Sequence, residues 1–173
     1  MKDGDFPLGE SHAIMRYICT TRNLSDHWYP KDPEKRAMVD QYLDWHHSNL
    51  RLACGGQVFK TIFGPLMGMT FTAEEIEVHK RSFRKCMRLM EKMLQGSKYL
   101  CGDDISIADL SAACELTQIG YMGYDLSQHK IVNDWHKRIL AIPEVYNTHK
   151  VCFEGIAKVA ARRKQAEKTK SKL

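Results

Sequence analysis

Ser106-Ile107-Ala108-Asp109-Leu110 decides how this chain is read. A Ser followed three residues later by an acid is a capping box. The hydroxyl and the carboxylate each satisfy a backbone N–H that the start of a helix leaves unpaired. Ile105 and Leu110 occupy the two positions of a hydrophobic staple, which fixes the angle at which the chain enters the helix. Ser106 and Asp109 are therefore assigned structural capping roles. Loss of Asp109 is expected to cost about 1–2 kcal/mol.

Working outward, the same grammar recurs. Thr72 and Glu75 form a second capping box, opening a helix whose apolar stripe is Ile76, Phe83, Met87, Met90 and Leu94, with Gly96 as its stop. Asp32-Pro33 starts another helix, with Val39, Leu43, His46 and Leu50 on one face at intervals of four, three and four. Gly55-Gly56 and Gly64-Pro65 read as punctuation after it. Downstream, helices fit Asn133 to Ala141 and, after Pro143, Glu144 to about Lys164. Upstream, a helix begins near Glu10-Ser11, and Arg22 to Asp32 is a loop. Lys2-Asp3-Gly4-Asp5-Phe6 holds an Asp-Gly turn and reads as the end of a hairpin whose first strand is absent. Five or six helices with short connections make an all-α bundle.

Composition narrows the function. The 173 residues carry a net charge of +5, but the charge is concentrated at one end. From Lys158 onward there are seven Lys or Arg and one acid, Glu167, whereas the preceding residues hold 19 bases against 20 acids. Nucleic-acid binding needs a basic face on the folded body, and this body is neutral, so no nucleic-acid partner is expected. The longest uncharged stretch, Thr61 to Ala73, is too short and too rich in Gly and Pro to span a membrane. No apolar segment follows Met1 that would direct secretion. The six cysteines contain no C-x-x-C pair and read as reduced thiols, several on apolar helix faces.

Two places carry possible chemistry. A helix opening at Ser11 aims free N–H groups and the positive end of its dipole at a carboxylate, and Glu10 adds an acceptor. Together they suit the head group of an α-amino acid, although an ordinary helix cap is the commoner meaning of such a motif. Trp45-His46-His47-Ser48-Asn49-Leu50-Arg51 is the other. Adjacent histidines on a helix point about 100° apart, so His46 and His47 do not chelate a metal from one face, and no metal site is assigned. Arg51 closes this helix, either as a simple C-terminal charge or as a bidentate donor to a substrate carboxylate.

These segments resemble the glutathione transferases, the theta class in particular. Glu10-Ser11-x-Ala13-Ile14, Asp26-His27-Trp28-Tyr29-Pro30, Asp44-Trp45-His46 through Leu50-Arg51 and Gly64-Pro65-Leu66 are similar to theta sequences. So are Ser106 to Leu110 and Cys114-Glu115-Leu116-Thr117-Gln118, and the likeness runs from Lys2 to about Ala157. The resemblance implies that residues 1–22 are the last strand and helix of a thioredoxin-like domain, with a helical C-terminal domain over 32–164 and a basic tail over 165–173. It also implies that Glu10 and Ser11 bind the γ-glutamyl end of glutathione, a co-substrate rather than a cofactor, and that Arg51 lies near the second substrate. The expected reaction is attack of the glutathione thiolate on a small electrophile or a hydroperoxide, in a homodimer when full length. The serine that stabilises the thiolate and the cis-proline loop fall before the resemblance begins. No catalytic residue is assigned, and the chain alone is expected to be inactive. The competing reading is a non-enzymatic helical domain that binds apolar ligands or partner chains. Ser171-Lys172-Leu173 matches the peroxisomal address, so the expected location is the peroxisome, reached through the import receptor.

Overall fold

Side chains a few residues apart set the helix boundaries. The computed structural model describes the backbone of residues 1–170 and the side chains of residues 1–165. Its helices are α1 Ser11–Thr21, α2 Pro33–Ser48, α3 Leu50–Val58, α4 Gly64–Leu66, α5 Ala73–Leu94, α6 Ile107–Gln118, α7 Lys130–Leu140 and α8 Pro143–Lys170. Asp32 caps α2 by accepting from the Lys35 amide at 2.9 Å. At α5, Thr72 Oγ1 accepts from the Glu75 amide at 3.2 Å and the Glu75 carboxylate accepts from the Thr72 amide at 2.8 Å. At α6, Asp109 Oδ2 accepts from the Ser106 amide at 3.0 Å, and Ser106 Oγ accepts from the Ala108 amide at 3.3 Å.

Helix α6 is the hub, buried almost all round from Ile107 to Thr117. Ala108, Ala112 and Ala113 keep it slim, so that α2, α3, α7 and α8 all pack against it. Leu43, Leu50, Met87, Met90, Leu116 and Trp135 form the middle of the core. Of the two stripes read from the sequence, only Ile76 is not fully buried. No helix among the described residues is long and apolar enough to cross a membrane.

Four local expectations need correction. The opening hairpin has both arms: Lys2–Asp3 pairs antiparallel with Phe6–Pro7, and Gly4 takes φ +58° at the turn between them. Gly55 and Gly56 do not punctuate anything but lie inside α3. They are there for close approach, since a Cβ on Gly56 would stand 2.5 Å from the His79 ring on α5. The α3 helix then runs through a π-helical turn, Phe59–Phe63, into α4. Helix α7 starts at Lys130, earlier than Asn133, and α8 extends to Lys170 rather than ending near Lys164.

Candidate functional site

The site is assembled where α1 lies against α2 and α6. Glu10 has φ 62° and ψ 116°, the one described non-glycine residue with positive φ. Such a conformation costs of order 1–3 kcal/mol, and it persists only where surrounding contacts hold it. Glu10 occupies the cap position of α1 without a side-chain capping bond, and both Glu10 and Ser11 are exposed. The first-turn amides of α1 therefore lack a side-chain cap. The alternative reading of Glu10-Ser11 as an ordinary cap does not describe this geometry.

Several polar contacts hold α1 in place. His12 Nε2 lies 2.7 Å from Ser111 Oγ on α6. Arg16 Nε donates to Asp40 Oδ1 on α2 at 2.7 Å, and its Nη2 donates to Asp44 at 3.2 Å. Tyr29 donates to the same Asp40 carboxylate at 3.0 Å. The Glu10 carboxylate meets His47 Nε2 at 3.2 Å, which ties the bent residue to α2.

His46 and His47 both turn toward His12, at ring-centroid distances of 5.1 and 5.2 Å, with His46 buried and His47 exposed. Burial pushes the His12 pKa down to about 4, helped by the positive charge that His46, His47 and Arg16 would place beside it. Among the described residues no group of three or more His, Cys, Asp or Glu has the placement to hold a metal ion.

Arg51 does not close a helix, so the reading of it as a C-terminal charge is corrected: it is the second residue of α3. The break between α2 and α3 at Asn49 is slight, because the Asn49 amide still donates to Trp45 O and the Ala53 amide to Asn49 O. Arg51 therefore follows His47 along an almost continuous helical run. Its Nη1 donates to Glu115 Oε2 on α6 at 3.4 Å. The same oxygen lies 3.8 Å from His46 Nε2.

The sequence alone assigns no role of their own to Glu115, His12 or Ser111. The signal for Glu115 is an acid set directly between Cys114 and Leu116 and close after the small apolar pair Ala112-Ala113. Asp109 does more than cap α6, for its Oδ1 also accepts from the Leu100 amide and from Trp135 Nε1, both at 2.9 Å. Ser171, Lys172 and Leu173 lie outside the described residues.

The profile described as "Glutathione S-transferase, C-terminal domain" matches residues 53–143. The chain is 32% identical over 170 residues to mouse glutathione S-transferase theta-2, covering 97% of this chain and 68% of the relative. The chain belongs to the glutathione S-transferases, on the theta side of the family. With Arabidopsis glutathione S-transferase T1 it shares 36% identity over 163 residues, covering 88% of the chain and 66% of that protein. It spans only 30% of Arabidopsis T3. In three dimensions it is similar to human glutathione transferase theta-2 in complex with glutathione, at a TM-score of 0.84 and 31% identity. That match covers 93% of this chain and 68% of the human one. The helices thus form a transferase C-terminal domain, and the two short strands with α1 correspond to the end of the thioredoxin-like domain.

Proposed function

We propose that this chain supplies the helical half of a theta-like transferase that conjugates glutathione to small electrophiles, reduces organic hydroperoxides, or does both. The observation that carries this reading is the bent Glu10-Ser11 corner. An exposed hydroxyl, uncapped amides and a carboxylate converge at one helix start. Amides and dipole suit the α-carboxylate of a γ-glutamyl group, and Glu10 suits its ammonium. Glutathione enters as co-substrate. Arg51 stands four residues after His47, which meets Glu10, and on this reading it meets the second substrate. An open apolar groove lined by Ile62, Pro65, Leu66 and Val159, and rimmed by Arg162 and Arg163, supports a seat for an apolar electrophile.

Catalysis requires that the glutathione thiol be acidified and positioned. Glu10, Ser11 and Arg51 do the second and not the first. On this reading residues 1–173 do not turn over by themselves, and the transferase works as a homodimer. A spectrophotometric conjugation assay with aryl and alkyl halides tests this. Turnover no faster than the uncatalysed rate is expected, and glutathione-dependent turnover well above it would refute inactivity of the chain alone.

Ser171-Lys172-Leu173 supports delivery to peroxisomes by the import receptor, where hydroperoxides would be at hand. A fluorescent protein ending in residues 158–173 should colocalise with a peroxisomal marker and return to the cytosol when Leu173 is deleted. A diffuse signal from the intact tail would contradict that address.

A further inference from the structure

A carboxylate deep in a helical core is costly unless it is paired, and Glu115 is such a group. Its side chain is 4% exposed, whereas that of its partner Arg51 is 56% exposed. The fold makes specific room for it: a Cβ on Gly55 would stand 3.1 Å from Glu115 Oε1. Its second neighbour is His46 at 3.8 Å, which lies 3.4 Å from Ser111 Oγ. Ser111 in turn holds His12, the residue after Ser11, at 2.7 Å. One polar chain thus runs through the core from the helix start that carries Ser11 to the guanidinium of Arg51.

We propose that Glu115 is a positioning residue that fixes the guanidinium of Arg51 toward the anionic part of the bound substrates. An exposed arginine explores many rotamers, and each must be given up when it binds. A buried carboxylate accepting from Nη1 removes that freedom in advance. It leaves the remaining N–H donors of the fork free for a ligand oxygen. Glu115 touches no substrate itself and acts only through Arg51. The inference rests on the transferase reading above.

The test uses the 173-residue chain, with the Arg51 side-chain Nε–H followed by NMR while glutathione sulfonate, an anionic analogue, is added. The parent should show an ordered Arg51 Nε–H, with both it and the Ser11 amide shifting on titration. Glu115→Gln should let Arg51 move freely and weaken binding about tenfold, the scale of one charge-assisted hydrogen bond, to the level of Arg51→Ala. Gly55→Ala keeps the charge but crowds the carboxylate, and it should loosen Arg51 in the same way, so the test survives if Glu115→Gln does not fold. A merely structural Glu115 would change stability while leaving Arg51 order and ligand affinity in the folded chain untouched. That result overturns the proposal. If Arg51→Ala binds as well as the parent, the positioning role also falls, while the γ-glutamyl site stands. If the Ser11 amide does not respond in the parent, the transferase reading itself has failed, and this proposal with it.

Discussion

At the scale of single residues, Asp109 and Glu10 show burial and strain at work. Asp109 reads from the sequence as one partner in a capping box. In the fold it is fully buried and accepts from the Ser106 and Leu100 amides and from Trp135 Nε1. Asp109→Ala should therefore cost about 3–5 kcal/mol rather than the loss of one cap, because each orphaned buried donor costs roughly 1–3 kcal/mol. Chemical denaturation checks this, and a loss near 1 kcal/mol would mean that water or a neighbour replaces the carboxylate. Glu10 argues the other way. Glycine enters the positive-φ region without a steric penalty, so Glu10→Gly should stabilise the chain by up to about 1 kcal/mol. It should also abolish any response to a γ-glutamyl ligand. A variant that loses stability would show that the His47 contact outweighs the strain. The local grammar of Ser106 and Asp109 was legible because a capping box acts over three residues. The partners Leu100 and Trp135 were not, because they come from other elements.

At the scale of elements, the α3–α5 contact overrides local propensity. Two adjacent glycines disfavour a helix by about 1 kcal/mol each, which is why they read as a break. The structure keeps the helix because Gly56 admits the His79 ring, whose Nδ1 lies 2.8 Å from the Leu52 carbonyl oxygen. Gly56→Ala should destabilise the parent by about 1–2 kcal/mol, crowding the ring out of that contact. In a His79→Ala background the sign should reverse, with the same change stabilising by up to about 1 kcal/mol. Thermal unfolding of the four variants decides it. Equal effects in both backgrounds would mean that the ring simply moves aside. The capped helices α2, α5 and α6 were legible because their signals lie within each segment. The hairpin arms and the start of α7 were not. A two-residue strand carries almost no pattern, and His129 offers no capping bond at the start of α7.

At the scale of the whole molecule, His12, which is buried, and His136, which is half-buried, tie stability to pH. Burial is the main cause that lowers both His12 and His136 to about 4, from an ordinary 6.5. Between these values the unfolded chain binds protons at both positions and the folded chain does not. Stability therefore rises with pH through this window and is lost as pH falls from 6.5 toward 4. Each histidine contributes at most about 1.4 kcal/mol per pH unit. Asp109 works in opposition: burial raises its carboxyl, so its ionisation takes stability away as pH climbs above 3.8. Denaturation midpoints measured from pH 7 to pH 4 should fall, and His12→Asn should flatten the decline. A flat profile in the parent would show that neither imidazole stays neutral. Everything proposed for catalysis turns on whether the Glu10-Ser11 corner takes the γ-glutamyl end of glutathione. The most direct measurement is an NMR titration of the labelled chain with γ-glutamylcysteine and, separately, with cysteinylglycine. Saturable shifts at Glu10 and Ser11 with the first dipeptide only, removed by Glu10→Ala, are the predicted result. Equal shifts with both dipeptides, or none with γ-glutamylcysteine, would contradict it.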